Sequence, residues 1–229
     1  MTIFKKKSFD HKWEDKIYKK KLHVNKYPFD QVVSLAHRFL DKKKIKINKE
    51  IALELGWGTG NNLMFLKNYG FSKVYGIDGS KTAVTMSKKF TNKPGIKISK
   101  SDFITIPFKN NFFKLCLDRG SITHNKKSDI IKILNEVNRC LKKNGFFFSF
   151  IFSKTDQLYK DKINKRKKSI EQKLQTTFLS LSEVKNIYSL FDIIDLTHEV
   201  KINKIKKIKK AMWIIVAKKK WLNGNKKYY

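Results

Sequence analysis

Apolar residues recur along this chain with two different periods, and the alternation between them predicts a layered α/β fold. Residues 1–26 are polar and lysine-rich, with Trp13, Tyr18 and His23 scattered through them. After a break at Tyr27-Pro28, the residues Val32, Val33, Leu35, Ala36, Phe39 and Leu40 fall on one helical face, with Asp30 as the expected N-cap. The run D-K-K-K-I-K-I-N-K-E then leads as a charged connector into Ile51–Leu55, an apolar run of strand length. Helical spacing returns at Leu63, Phe65 and Leu66, and Gly70 stops it. Ser72–Asp78 reads as a second strand, and Ser80 as the cap of a helix whose inner side is Ala83, Val84 and Met86. A polar break at Asn92-Lys93-Pro94-Gly95 precedes a third strand, Ile96–Ser99, and Phe113–Leu117 reads as a fourth.

The second half continues in the same manner. Ser128 or Asp129 is expected to cap a helix with Ile131, Leu134, Val137 and Leu141 on its buried stripe, ended by Asn144-Gly145. The apolar run Phe146–Phe152 follows as a strand. Thr155–Gln175 reads as a charged connection, and Ser180-Leu181-Ser182-Glu183 as a capping box opening a helix through Leu190. Phe191–Val200 and Ala211–Ala217 close the chain as two strands joined by K-I-N-K-I-K-K-I-K-K. Strand and helix in alternation predict a mostly parallel sheet covered on both faces.

The junction after the first strand carries the chemistry. Ile51 to Leu63 reads I-A-L-E-L-G-W-G-T-G-N-N-L, with Glu54 two positions before Gly56, and Gly58 and Gly60 at alternate places. Glycines at such a turn let the backbone bend sharply and let a ligand approach where a Cβ would collide. A dinucleotide fingerprint needs a third glycine where Asn61 stands, so that pattern fails. The wording E-x-G-x-G-x-G resembles motif I of the class I S-adenosylmethionine-dependent methyltransferases. The resemblance continues at Asp78, where an acidic residue ends the second strand, and at Ser101-Asp102-Phe103 after the third. The stretch D-R-G-S-I-T-H-N from Asp118 resembles bacterial small-molecule methyltransferases, and N-E-V-N-R-C-L-K-K-N-G resembles the helix and fifth strand of the same superfamily.

This resemblance implies a Rossmann-like seven-stranded mixed sheet flanked by helices on both faces, one domain overall. Residues 1–50 would form an N-terminal lid and helix, with Trp13 and Tyr27 at the pocket mouth, and residues 51–229 the cofactor-binding core. S-adenosyl-L-methionine would be held by Glu54, Gly56, Trp57, Gly58, Gly60 and Asn62 at the first turn. Asp78, Gly79 and Ser80 would take the ribose, Asp102 and Phe103 the adenine, and Asp118 would border the methyl group. In the same loop, Asp118 and Arg119 would orient an acceptor and His124 would act as base, a histidine being suited to accept a proton near neutrality. The expected acceptor is an oxygen or nitrogen of a small molecule or sugar. An RNA methyltransferase and a non-catalytic cofactor-binding partner subunit are the alternatives. The N/D-P-P-Y/F turn of adenine amino-methyltransferases and the proline-cysteine nucleophile of cytosine C5 enzymes are absent from this loop.

Composition changes this picture in one respect. The formal net charge is +33, from 52 basic and 19 acidic residues, but only four of the basic residues are arginine. Lysine is abundant beside asparagine, isoleucine and phenylalanine, all with A/T-rich codons, and the charge is spread along the chain. Solvated lysines from codon bias therefore outweigh a dedicated polyanion surface, and nucleic acid is not the favoured partner. Cys116 and Cys140 lack metal spacing and read as buried free thiols, and no metal site is expected. The first residues hold no apolar signal core, and Phe146–Phe152 is too short to span a bilayer, so a cytoplasmic protein is expected.

Overall fold

The computed structural model describes residues 9–10, 12–14, 17, 19–20, 25–41, 44–164 and 174–220. Seven strands form one mixed sheet: β1 (Ile51–Leu55), β2 (Lys73–Asp78), β3 (Ile96–Lys100), β4 (Phe113–Arg119), β5 (Leu141–Phe152), β6 (Phe191–Asn203) and β7 (Ile208–Lys219). Their order across the sheet is β3-β2-β1-β4-β5-β7-β6, with β7 inserted antiparallel between β5 and β6. Six helices accompany them among the described residues: α1 (Asp30–Phe39), α2 (Asn61–Tyr69), α3 (Lys81–Thr91), α4 (Lys127–Cys140), α5 (Gln157–Ile163) and α6 (Leu181–Ile187). The expected Rossmann-like seven-stranded sheet, with helices on both faces, is the fold observed.

Period-two alternation in the strands divides the core into two layers. Leu53, Leu55, Cys116, Phe147 and Ile151 face one side, where Ile130, Ile133, Leu134 and Val137 of α4 and Val184 and Ile187 of α6 cover them. Ala52, Leu115, Leu117, Phe146, Phe148 and Phe150 face the other, against Val32, Leu35 and Ala36 of α1 and Leu63 and Leu66 of α2. Both cysteines are free and buried. No helix among the described residues is long and apolar enough to cross a membrane.

Local chemistry corrects several expected boundaries. Asp30 is not the cap of α1: the N-cap is Phe29, whose carbonyl accepts from the N–H groups of Val32 and Val33, and Asp30 lies in the first turn. Ser128 and Asp129 do not cap α4, whose N-cap is Lys126 without a side-chain bond. The buried stripe of α4 begins at Ile130 rather than Ile131, which is 44% exposed, because the apolar series 130, 133, 134, 137 follows the helical period more closely. Leu141 already belongs to β5, pairing with Phe113, so the expected helix end at Asn144-Gly145 is a kink inside the strand, with Asn144 at φ 56°. The capping box at Ser180 and Glu183 is present, and α6 closes at Ile187. Strands β6 and β7 extend beyond Val200 and Ala211 to a ladder ending at the pair Asn203 and Ile208. The lysine-rich run was read as a connector because neither face of this ladder is buried, so it shows no apolar alternation.

Candidate functional site

In an open α/β sheet the ligand crevice lies beyond the carboxyl ends of the strands, where the strand order reverses. Here β2 and β3 lie on one side of β1, and β4 and β5 on the other, so the loops after β1 and β4 meet at that point. Gly56, at φ 68°, touches Ser121 so closely that an added Cβ would lie 2.0 Å from the Ser121 Oγ. That hydroxyl donates to the Gly56 carbonyl at 3.2 Å. A cavity of about 840 Å³ opens beside this contact, large enough for a nucleoside-sized ligand together with a second group.

One wall is built by β1 to β3 and their loops. Glu54 is buried; its Oε1 accepts from Asn62 Nδ2 at 2.8 Å, and its Oε2 has no hydrogen-bond partner. Burial pushes the Glu54 carboxyl up to about 8; the Asn62 hydrogen bond works against this, and the charges of Asp78 and Asp118 add to it. Gly58, at φ 56°, donates its N–H to Asp78 Oδ2 at 3.3 Å, and Ser80 N–H donates to Oδ1 at 2.8 Å. Burial raises Asp78 to about 6 against those two bonds. Gly60, in the left-handed conformation, is the N-cap of α2. Trp57 is anchored in the core, its Nε1 donating to Ser87 Oγ at 2.9 Å, and it packs where Gly76 leaves room. Asp102 turns back to accept from Ile104 N–H at 3.0 Å, and Phe103 lies 3.5 Å from where a Gly56 Cβ would sit.

The segment before β1 is tied onto this wall. Thr59 Oγ1 donates to the Asn25 carbonyl at 2.6 Å, Asn61 Nδ2 to the Tyr27 carbonyl at 2.8 Å, and Phe29 N–H to Asn62 Oδ1 at 3.2 Å. Glu14 accepts from Ser80 Oγ at 2.6 Å, from Thr82 N–H at 3.0 Å and from the Thr82 hydroxyl, at the N-terminus of α3. Burial alone would raise its carboxyl, but these bonds hold it below the usual carboxylate range. Phe9 lies against Gly79, at 2.4 Å from an added Cβ. Trp13 lines the cavity, as expected, whereas Tyr27 does not: its side chain is 82% exposed and only its carbonyl is engaged.

The opposite wall comes from the ends of β4 and β5, from α5 and from the β6–β7 hairpin. Asp118, expected to border the methyl group, is fully buried beneath this wall, accepting from Ser121 and Ile122 N–H and from Ser149 Oγ, and does not itself line the cavity. Burial raises it to about 6 against these bonds and the Arg119 charge. Arg119 does line the cavity. Its guanidinium sits between Phe29 at 4.2 Å and Phe150 at 4.8 Å, and its Nε is buried without a partner. His124 packs edge-on to Trp13 at 4.4 Å, and its Nδ1 lies 3.2 Å from the Gln175 carbonyl. Donation from Nδ1 to that carbonyl places the imidazole lone pair on Nε2. Of the other histidines, His37 packs on Tyr69 and His198 stacks on Trp213, while His11 and His23 lie outside the described residues.

Several wall residues were not anticipated. Asp156 caps α5 and also accepts from Ala211 N–H at 2.7 Å, Asp161 follows one turn later, and Glu199 takes both Gln31 Nε2 contacts. A Thr-Asp pair before a short helix is an N-cap signal that would have found Asp156; Glu199 carries no local signal. Among the described residues, six acidic ones line the cavity: Asp10, Glu54, Asp102, Asp156, Asp161 and Glu199. Among the described residues the cationic lining, Arg119 and His124 apart, is five hairpin lysines: Lys201, Lys206, Lys207, Lys209 and Lys210.

Residues 53–149 match a family model described as Methyltransferase domain. Over that span the chain is similar to a methyltransferase domain. Over 119 residues the chain is 33% identical to EEF1A lysine methyltransferase 2 of Homo sapiens, covering 48% of this chain and 50% of that protein. The Mus musculus protein of the same name is 32% identical, with 48% of each chain covered. The chain thus spans about half the length of the curated relatives it matches. Among solved structures, a SAM-dependent methyltransferase from Anabaena variabilis aligns with a TM-score of 0.65 at 16% identity, over 96% of this chain and 99% of that one. One from Methanosarcina mazei aligns at 0.66 and 16%, over 84% and 98%. At this identity the solved structures establish the fold. The curated relatives correct the acceptor expectation: they are named for methylating lysine in a protein, so the small-molecule or sugar-like acceptor does not stand.

The cofactor that such a domain implies is S-adenosylmethionine, and the residues of the β1–β3 wall fit it. Its ammonium and sulfonium are cationic, and the unpartnered, buried Oε2 of Glu54 is an acceptor suited to positive charge. Of the residues expected to hold it, Glu54, Gly56, Trp57, Gly58, Asn62, Gly79, Asp102 and Phe103 line the cavity. Gly60, Asp78 and Ser80 stand behind the wall, shaping the turns through the bonds given above.

Proposed function

We propose that this methyltransferase transfers a methyl group to the ε-amine of a lysine in a protein substrate. The observation that carries this reading is the grouping of acidic residues in a chain of net charge +33: among the described residues six line one cavity, beside Arg119 and five lysines of the β6–β7 hairpin. Carboxylates grouped in this way give a cationic side chain local partners within a strongly basic molecule. The names of the curated relatives support the same acceptor class.

When bound, the cofactor supplies a methyl carbon already activated by its sulfonium, so placement of the acceptor accounts for most of the rate. The chain's residues supply that placement. Asp102, Asp156 and Asp161 favour an incoming ammonium, and Phe152 and Trp13 give its aliphatic stem an apolar surface. The amine must lose a proton before its lone pair forms the carbon–nitrogen bond. His124 Nε2 is assigned as the acceptor of that proton, its ring held by the Gln175 carbonyl and Trp13. Arg119, fixed between two phenylalanines, offers Nε–H to an oxygen of the acceptor segment.

The test is incubation with methyl-tritiated cofactor and cell extract, separated into protein, RNA and small metabolites, with the protein hydrolysed for amino-acid analysis. Label is expected in methylated lysine. Label confined to RNA or metabolites, or in no fraction, overturns the reading.

A further inference from the structure

The arm formed by residues 200–211 extends past the rest of the sheet and carries an unusual surface. Between Lys201 and Lys210 it holds six lysines and three isoleucines, and no acidic residue occurs from Val200 to Lys220. Among the described residues, no carboxylate lies within ion-pair distance of Lys204, Lys206, Lys207, Lys209 or Lys210; Lys201 alone has such contacts, with Glu199 and Asp30. The apolar residues between them are exposed too: Ile205 by 94%, Ile202 by 58% and Ile208 by 40%.

Two features of the arm cost stability in the isolated protein. Lys201 and Lys210 are direct cross-strand partners, a like-charge pairing that destabilises a ladder. Lys207 adopts φ 50°, a left-handed conformation that glycine would take without strain. An anionic partner offsets the first cost, and the second keeps a cation at the tip. The arm also reaches the cavity, since Lys206 to Met212 contribute to its wall.

We propose that the β6–β7 arm is the docking surface for an acidic, partly apolar face of the protein substrate, beside the lysine to be methylated. The proposal rests on the lysine reading above and adds the partner's chemistry. The two charge types divide the work: Asp102, Asp156 and Asp161 receive the acceptor's ammonium, and the arm, whose lysines share the cavity wall, grips the acidic residues that flank it. Protein is favoured over RNA by the arm's own composition. It has no arginine for bidentate contacts and no aromatic residue for base stacking, while its isoleucines suit an apolar protein patch.

The experiment uses the whole chain and fluorescence anisotropy. The probes are a labelled peptide in which a lysine is flanked by alternating glutamate and leucine, the same peptide with glutamine for glutamate, and a mixed-sequence RNA oligonucleotide. The wild type is expected to bind the acidic peptide about tenfold more tightly than the glutamine peptide at physiological salt. Combined Lys204→Glu, Lys206→Glu, Lys207→Glu and Lys209→Glu substitution removes the difference, the matching alanine set reduces it, and affinity for S-adenosylhomocysteine stays unchanged in both. Equal binding of the two peptides, a preference unmoved by the substitutions, or tighter binding of the RNA than of the acidic peptide would each overturn the proposal. The readout needs no methyl transfer. A protein that methylates no lysine yet shows this charge-dependent preference loses the acceptor reading and keeps the docking surface.

Discussion

The two sides of the cavity are built by different means. On the β1–β3 side the strands are five or six residues long and end at one level, and backbone turns form most of the wall. Its polar groups answer one another locally: Asp78 holds the Gly58 and Ser80 N–H groups, and Asn62 holds Glu54. On the other side β5, β6 and β7 run for 12, 13 and 12 residues, and the wall is made of side chains gathered from distant segments. A cofactor of fixed shape is served by backbone geometry encoded in a few consecutive residues. The proposed protein acceptor requires a longer reach, and the residues that would recognise it are dispersed along the chain.

The largest effect that would break this contrast is expected at Gly56. A valine there must adopt φ 68° and collide with Ser121, and left-handed strain and overpacking together amount to about 3 kcal/mol, or on the order of a hundredfold in affinity for S-adenosylhomocysteine. Calorimetry on Gly56→Val measures it; retained affinity would mean that the β1 turn does not shape the cofactor site. Next in size is His124. The rates of His124→Ala and His124→Gln at saturating cofactor are expected to fall about tenfold or more, with an altered pH profile. A smaller loss with an unmoved profile would leave His124 a packing residue. Arg119→Lys keeps the charge but loses the planar stack between Phe29 and Phe150, worth about 1 kcal/mol, so KM for the acceptor should rise about fivefold while cofactor affinity is unchanged. A change in cofactor affinity instead would move Arg119 to the other side of the comparison.

The smallest effect is on stability. Glu54 holds its proton to about 8 in the folded chain, against an ordinary value of 4.5, so the folded state binds more protons through that window and stability falls as pH rises across it. The glutamates with depressed values, Glu14, Glu136 and Glu183, have finished titrating at its acid end. Asp78 and Asp118, raised to about 6, act in the same direction up to that pH. Thermal melting of the cofactor-free protein should therefore drop by several degrees between about pH 5 and 8, and Glu54→Gln should flatten the slope above about pH 6. An equal slope in the variant would show that Glu54 is not the group responsible.

Legibility in the sequence follows the same division. Glu54, the three glycines, Asp78 and Asp102-Phe103 stand within a few residues of strand ends, and local pattern placed them. Asp78 and Ser80 were found in position yet turned out to brace the wall, because hydrogen-bond direction is not visible in spacing. Asp118 was expected to border the methyl group and is instead buried under Ser121, Ile122 and Ser149, the last contributed by the neighbouring strand β5. Glu199 and the hairpin wall were missed because they reach the cavity only through the pairing of β6 with β7, which no local period announces.

The most direct test of the cofactor side is calorimetric titration of the wild type with S-adenosylhomocysteine below about pH 8, in buffers of different ionisation enthalpy. If Glu54 receives the ligand's ammonium, binding drives its carboxyl to ionise. The account predicts a heat of binding that depends on the buffer, from a released proton, and loss of that dependence in Glu54→Gln. No heat of binding, or a heat independent of buffer in the wild type, would contradict it.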